Sequence, residues 1–243
     1  MGMIKNPREI KLLRKSATIT DSCIKIIEKS LREKNITEKE LARRIRKNLF
    51  KHGVRESFRM IVACGERSAE IHAKPARTNN IISGVGYVDF GAKYRGYCSD
   101  ITVPFVKGRI GDKERKIVDT TMKAYGVAMK HVRRGEYCWK SFEEVNKFLK
   151  KNNFEMQHSL GHGIGRKVHE WLSLVKPSKK ILKKRRVIKK WSKLKNVRFE
   201  EGMVFTIEPA VYVKGFAGCR IENTILMTKR GPKNLTHTKL IRI

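Results

Sequence analysis

The apolar positions alternate between helical and strand-like spacing, and the alternation runs through the chain twice. Ile10, Leu13, Ala17, Cys23, Ile24 and Ile27 follow helical spacing, behind an Asn6-Pro7 start that suits a cap and a first helical residue. Thr37-x-x-Glu40 is a capping-box pattern, and it opens a second helix with Leu41, Ile45 and Leu49 on one face, ending near Gly53. Met60 to Cys64 reads as a short strand, and His72 follows in the loop from Gly65 to Asn80, beside Lys74-Pro75. Tyr87 to Phe90 is a strand, a Gly-bearing turn follows, and Cys98 to Val103 returns.

The second round begins with a helix from about Asp112 to Val132, carrying Ile117, Thr121, Ala124 and Ala128 on a face. Ser141-x-x-Glu144 predicts the opening of a fourth helix through Val145, Phe148 and Leu149. Val204 to Met227 forms another apolar strand pair, and Leu235 to Ile243 is expected to add a last strand. Two helix-helix-hairpin units imply an α+β fold, with a curved antiparallel sheet covered on its outer face by four helices. No linker separates the halves, so residues 1–243 are expected to form one domain.

Each hairpin carries two carboxylates: Asp89 and Asp100 in the first, Glu208 and Glu222 in the second. Acids are depleted in strands, and facing pairs repel unless a cation lies between them. His162, between Gly161 and Gly163, adds an imidazole where the backbone allows close approach. One His and four carboxylates exceed what a single tetrahedral zinc takes; they suit two bridged ions, with Mn, Co, Fe or Zn as candidates.

The net charge of +33 predicts attraction to polyanions. It peaks in a basic insert at about 174–199. There, 12 Lys or Arg and no acid lie between Lys176 and Arg198, with Ile181, Ile188, Trp191 and Leu194 at amphipathic helical spacing. Contact with ribosomal RNA or another polyanion, by counterion release, is one expectation there, and a solvated lid or surface helix is the other. Five scattered cysteines without a CxxC argue for free thiols in a reducing compartment. No apolar run resembles a signal peptide or a membrane span, so a cytoplasmic protein is expected.

The runs DFGAKYRGYCSD, GHGIGxxxHE, IEP and RIENT resemble the pita-bread metallopeptidases, that is, the methionine aminopeptidases and the Xaa-Pro peptidases. The resemblance extends from Ile4 onward. It implies that Asp89 binds one metal, that Asp100 and Glu222 bridge two, and that His162 and Glu208 hold the second. It further implies a dinuclear-metal exopeptidase that cleaves the N-terminal peptide bond through a metal-bridged hydroxide. His72 and His169 would be active-site histidines that contact substrate, and Glu208 would shuttle the proton. The GAKYRGYCSDIT hairpin, the 14-residue separation of Glu208 and Glu222, and Arg220 favour the Xaa-Pro branch. Arg220 would pair with a ligand carboxylate or a substrate carboxylate. The expected form is a catalytic domain without the N-terminal creatinase-like domain of that branch, plausibly monomeric. Two alternatives stay open: a methionine aminopeptidase acting on nascent chains, and a non-catalytic pita-bread protein that binds RNA or a partner.

Overall fold

The structure is a computed structural model that describes residues 2–73, 80–177 and 181–243, with the backbone alone at Ile181 and Arg185. Lys74-Pro75 and residues 178–180 of the basic insert lie outside the described residues, as does the Ile181 side chain. Asn6 accepts the Glu9 N–H at 3.0 Å and the Glu9 carboxylate accepts the Asn6 N–H at 2.9 Å. This reciprocal box, with Pro7 in the first turn, starts α1 (Pro7–Leu31), which buries Leu13, Ala17, Cys23 and Ile27. Thr37 caps α2 (Glu38–Lys51) as expected. The return arm of that box is absent, because the Glu40 carboxylate is taken by Arg43 and Arg44; charge-assisted bonds outcompete a backbone N–H.

The first half continues with β1 (Arg55–Glu56), β2 (Ile61–Cys64), β3 (Gly84–Phe90), β4 (Ala92–Tyr94), β5 (Tyr97–Cys98) and β6 (Ile101–Lys107). Next come α3 (Asp112–His131), α4 (Cys138–Lys151), β7 (His162–Gly163), β8 (Glu170–Ser173) and α5 (Arg185–Leu194). The chain ends with β9 (Val204–Ile207), β10 (Ala210–Val213), β11 (Ala217–Arg220), β12 (Glu222–Thr228), β13 (Gly231–Asn234) and β14 (Ile241–Arg242). Among the described residues one sheet runs β2-β3-β6-β12-β9-β7-β8, with β13 on β12 and β14 parallel to β6.

Each long hairpin is bent. β3 and β6 pair in the main sheet, while their tip, β4 and β5, turns away to join β1. Likewise β9 and β12 pair in the main sheet, while β10 and β11 form a separate ribbon. The two halves meet where β6 and β12 pair antiparallel at Thr102↔Glu222 and Ile101↔Asn223. Gly91 marks one bend: a Cβ there would lie 1.8 Å from the Ser99 carbonyl oxygen.

The helices back the sheet as expected. Ile27, Leu41 and Ile45 of α1 and α2 pack with Val88, Phe90, Ile101 and Val103. Ile117, Val145 and Leu149 of α3 and α4 pack with Phe205, Ile207 and Cys219. Val88 and Phe90 flank Asp89, and Ile101 and Val103 flank Thr102. Strand alternation therefore turns Asp89 and Thr102 to the opposite face. No helix among the described residues is long and apolar enough to cross a membrane.

Four details depart from expectation. A fifth helix, α5, adds to the four, inside the basic insert. Helix α4 begins at Cys138, so Ser141 lies within its first turn and its hydroxyl bonds the Cys138 carbonyl. The pairing of Tyr137 with Arg198 and the bond from Cys138 N–H to the Val197 carbonyl fix that earlier start. Asp100 and Glu208 stand at the bends rather than inside strands. The tail has only Ile241–Arg242 in strand form, where Leu235–Ile243 was expected, and Gly231–Asn234 supplies the other strand.

Candidate metal centre

Strand register puts Asp89, Thr102 and Glu222 side by side across β3, β6 and β12. Asp100, just before β6, brings its carboxylate to the same cluster. Glu208 leaves the end of β9, with its N–H bonded to the Leu160 carbonyl at 2.8 Å. His162 enters from β7 beside β9, with its N–H on Thr206 Oγ1 at 3.1 Å. That approach needs Gly161, because a Cβ there would lie 1.9 Å from the Thr206 carbonyl oxygen. Two bent hairpins and one glycine-flanked strand thus bring five residues from both halves to one place.

The Asp89, Asp100, His162, Glu208 and Glu222 side chains line a cavity of about 480 Å³, together with His72, His158, His169 and Arg220. Ligating atoms of Asp100, His162 and Glu222 all lie within 4.8 Å of one another. His162 Nε2 is 3.6 Å from Asp100 Oδ2 and 3.7 Å from Glu208 Oε1. Its Nδ1 is 3.2 Å from the Gly163 carbonyl, which only accepts, so that nitrogen carries the proton and Nε2 turns its lone pair to the acids. Asp89 stands outside the tight cluster and is bound to Arg220 Nη2.

Arg220 is buried and fully engaged. It also donates to Tyr212 Oη at 2.5 Å, the Ile71 carbonyl at 3.2 Å and Thr102 Oγ1 at 3.3 Å. Thr102 passes the chain on, donating to Glu222 Oε2 at 2.7 Å. Of the two pairings expected for Arg220, the structure shows the one with a candidate ligand carboxylate. His169 and His72 are both exposed at the cavity, and the His169 ring lies 4.1 Å from that of His162.

His158 joins the site although sequence reasoning passed over it. Its Nδ1 bonds the Ser159 carbonyl at 2.7 Å, its Nε2 lies 3.3 Å from Tyr212 Oη, and Glu208 Oε2 is 3.8 Å away. Its place in the QHSLGHGIG run was the available signal. Tyr212 and Thr102 were also missed, and nothing in their local sequence marks them.

Burial dominates the electrostatics. It pushes Asp100 and Glu208 well above the carboxylate range, reinforced by the Glu222 charge. It pushes Glu222 up to about 8, with Asp89 adding to the effect. Asp89 rises too, against the pull of Arg220. Burial lowers His162 to about 3 and His158 to about 4, and lowers His169 as well. These imidazoles are neutral at pH 7 and able to act as ligands or donors.

The residues fit a metal. Asp89 Oδ1, Asp100 Oδ1 and Glu222 Oε1 are buried acceptors without a hydrogen-bond partner. Such orphans are costly, and the raised pKa of all four carboxylates means that one guanidinium is too little positive charge to keep them ionised together. A divalent cation supplies both the missing charge and the missing partner.

The profile of metallopeptidase family M24 matches residues 11–229. An uncharacterized peptidase of Methanocaldococcus jannaschii is 36% identical over 242 residues, covering 99% of this chain and 65% of that protein. A Xaa-Pro dipeptidase of Pyrococcus horikoshii is 30% identical over 242 residues, covering 98% of this chain and 64% of that protein. The crystal structure of the prolidase from Pyrococcus horikoshii OT3 superimposes with a TM-score of 0.85 at 30% identity, over 98% of this chain and 64% of that one. The chain therefore spans slightly under two thirds of these relatives' lengths, and its architecture is the expected pita-bread fold.

Proposed function

The chain belongs to metallopeptidase family M24, and from that premise we propose that it hydrolyses the N-terminal peptide bond of short peptides, preferentially Xaa-Pro. The observation that carries this reading is the set of four carboxylates and one neutral imidazole around a single cavity, three of their oxygens without partners. Asp100 and Glu222 would bridge two divalent ions, with Asp89 on one and His162 and Glu208 on the other. When bound, such ions supply Lewis acidity towards the scissile carbonyl and acidify water to near neutrality. Mn, Co, Fe and Zn all suit the donor set.

The chain's own groups do the rest. Glu208, a carboxylate lining the same cavity, would take a proton from the attacking water and return it to the leaving nitrogen. His169, neutral and beside His162, donates a hydrogen bond to the developing oxyanion. His72 meets the substrate from the open side of the cavity. Arg220 holds Asp89 in place and, through Thr102, orients Glu222. The described residues act as one catalytic domain, with the basic insert as an addition. The five cysteines, all free and buried, support a reducing cytoplasm.

Proline preference rests on Arg220 and on the Xaa-Pro activity named for the Pyrococcus relative. With Mn or Co, the purified protein is expected to cleave Xaa-Pro dipeptides or Xaa-Pro-Yaa tripeptides at least about tenfold faster than Met-Ala peptides, a difference of ~1.4 kcal/mol in the barrier. The reverse order would make it a methionine aminopeptidase. Inactivity on all of them with metal bound would favour the non-catalytic reading.

The basic insert supports a second contact, with RNA. Lys183, Lys184, Arg186, Lys189, Lys190 and Lys193 are exposed and form no ion pair among the described residues. Filter binding of an RNA duplex is expected to weaken steeply as salt rises, since each neutralised phosphate releases counterions. Affinity indifferent to salt would remove this reading.

A further inference from the structure

Lys5 is a cation that the proposed mechanism does not use, yet it is only 4% exposed. Burying an ammonium is costly unless it is paired, so this position needs a reason. Its Nζ lies 2.5 Å from Glu170 Oε2 and 3.1 Å from the Gly2 carbonyl. Glu170 directly follows His169, and 165 residues separate the two ends of the pair.

The surroundings form a clamp. The Lys5 N–H bonds the Gly202 carbonyl at 2.8 Å, and Ile4 pairs with Met203. The N-terminal segment is thereby fixed to the base of β9. The other Glu170 oxygen, Oε1, accepts the Arg166 N–H at 2.9 Å and closes the turn that carries His169. A Cβ on Gly165 would lie 2.3 Å from that oxygen, so Gly165 is what lets the carboxylate sit inside its own turn. Cys98 N–H on the Gly165 carbonyl, at 2.8 Å, ties the turn to the first hairpin.

We infer that Lys5 and Glu170 are positioning residues: their buried ion pair fixes the 165–170 turn and so aims His169 into the cavity. The inference rests on the peptidase reading for its consequence, and on the clamp geometry for its existence. Misplacing a catalytic group by about 1 Å costs on the order of 10²-fold. Because an oxyanion donor acts in the transition state, the loss should fall on kcat more than on KM.

The test is a double-mutant cycle on the metal-loaded full chain. Lys5→Met is expected to lower kcat by roughly 10- to 100-fold, with Mn²⁺ affinity by calorimetry held within about threefold and Lys5→Arg close to wild type. In a His169→Ala background, Lys5→Met should cost no further activity, because it acts through the ring already removed. Glu170→Gln keeps an acceptor for Arg166 and reads the same cycle should Lys5→Met fold poorly. Amide exchange over 165–170 should accelerate in either variant while β3 and β6 stay protected. Equal losses in both backgrounds, or unchanged exchange over the turn, would overturn the inference. Wild-type inactivity on every peptide would count against the peptidase reading instead, and the exchange result would then decide the clamp.

Discussion

Glu222→Gln is expected to reduce kcat/KM by on the order of 10³-fold or more, the upper end of what removing one electrostatic contributor costs. The substitution keeps size and shape, and its amide oxygen still accepts from Thr102, whose hydroxyl donates to Glu222 Oε2 at 2.7 Å. What it removes is the charge at the centre of the cluster, next to Asp100 and His162. Metal binding should fall with activity, read by calorimetry with Mn²⁺. Folding should not suffer. Glu222 is 2% exposed and one of its oxygens has no partner, so the metal-free variant should be at least as stable as wild type at pH 8. A Glu222→Gln protein that keeps a tenth of wild-type activity would remove Glu222 from the proposed ligand set.

Metal-free protein is expected to lose thermal stability as pH rises from about 6.5 to about 8; below 6.5 the buried His162 and His158, and His169 with them, are neutral in the fold but protonated in the unfolded chain and oppose the effect. Burial lifts Glu222 from an ordinary 4.5 to about 8, so across that window the folded chain holds a proton that the unfolded chain has released. A group with a raised folded pKa contributes its full stability below the unfolded value and loses it as pH passes the folded one. Asp100 and Glu208, raised in the same direction, add to the slope. A saturating divalent ion should cancel that loss and release protons on binding, because ligation requires the ionised carboxylates. At a hundredfold excess over Kd each ion contributes about 2.7 kcal/mol. Melting curves across pH, with and without Mn²⁺, give both quantities. A flat metal-free curve between pH 6.5 and 8, with no metal stabilisation, would contradict the picture of crowded, buried acids.

Both effects come from the same arrangement. A family of charges that destabilises the metal-free fold is held in place by large apolar contacts behind it, such as Phe90 and Phe105 behind the first hairpin and Phe205 behind the second. Their burial sets strand alternation, and alternation leaves the carboxylates no other direction to point.

The local code determined the caps of α1 and α2, the apolar faces of four helices, the duplicated hairpins and the five candidate ligands. Each of those depends on residues within a turn or a strand pair of one another, where periodicity and capping chemistry speak directly. Tertiary contacts decided the rest. Pairing of Tyr137 with Arg198 moved the start of α4 to Cys138, and the bends put Asp100 and Glu208 outside their strands. Only the assembled sheet gave Arg220 to Asp89, brought His158 within 3.8 Å of Glu208, and joined Lys5 to Glu170. Those partners are separated by 50 to 165 residues, and no periodic pattern records which distant charge will be buried beside which.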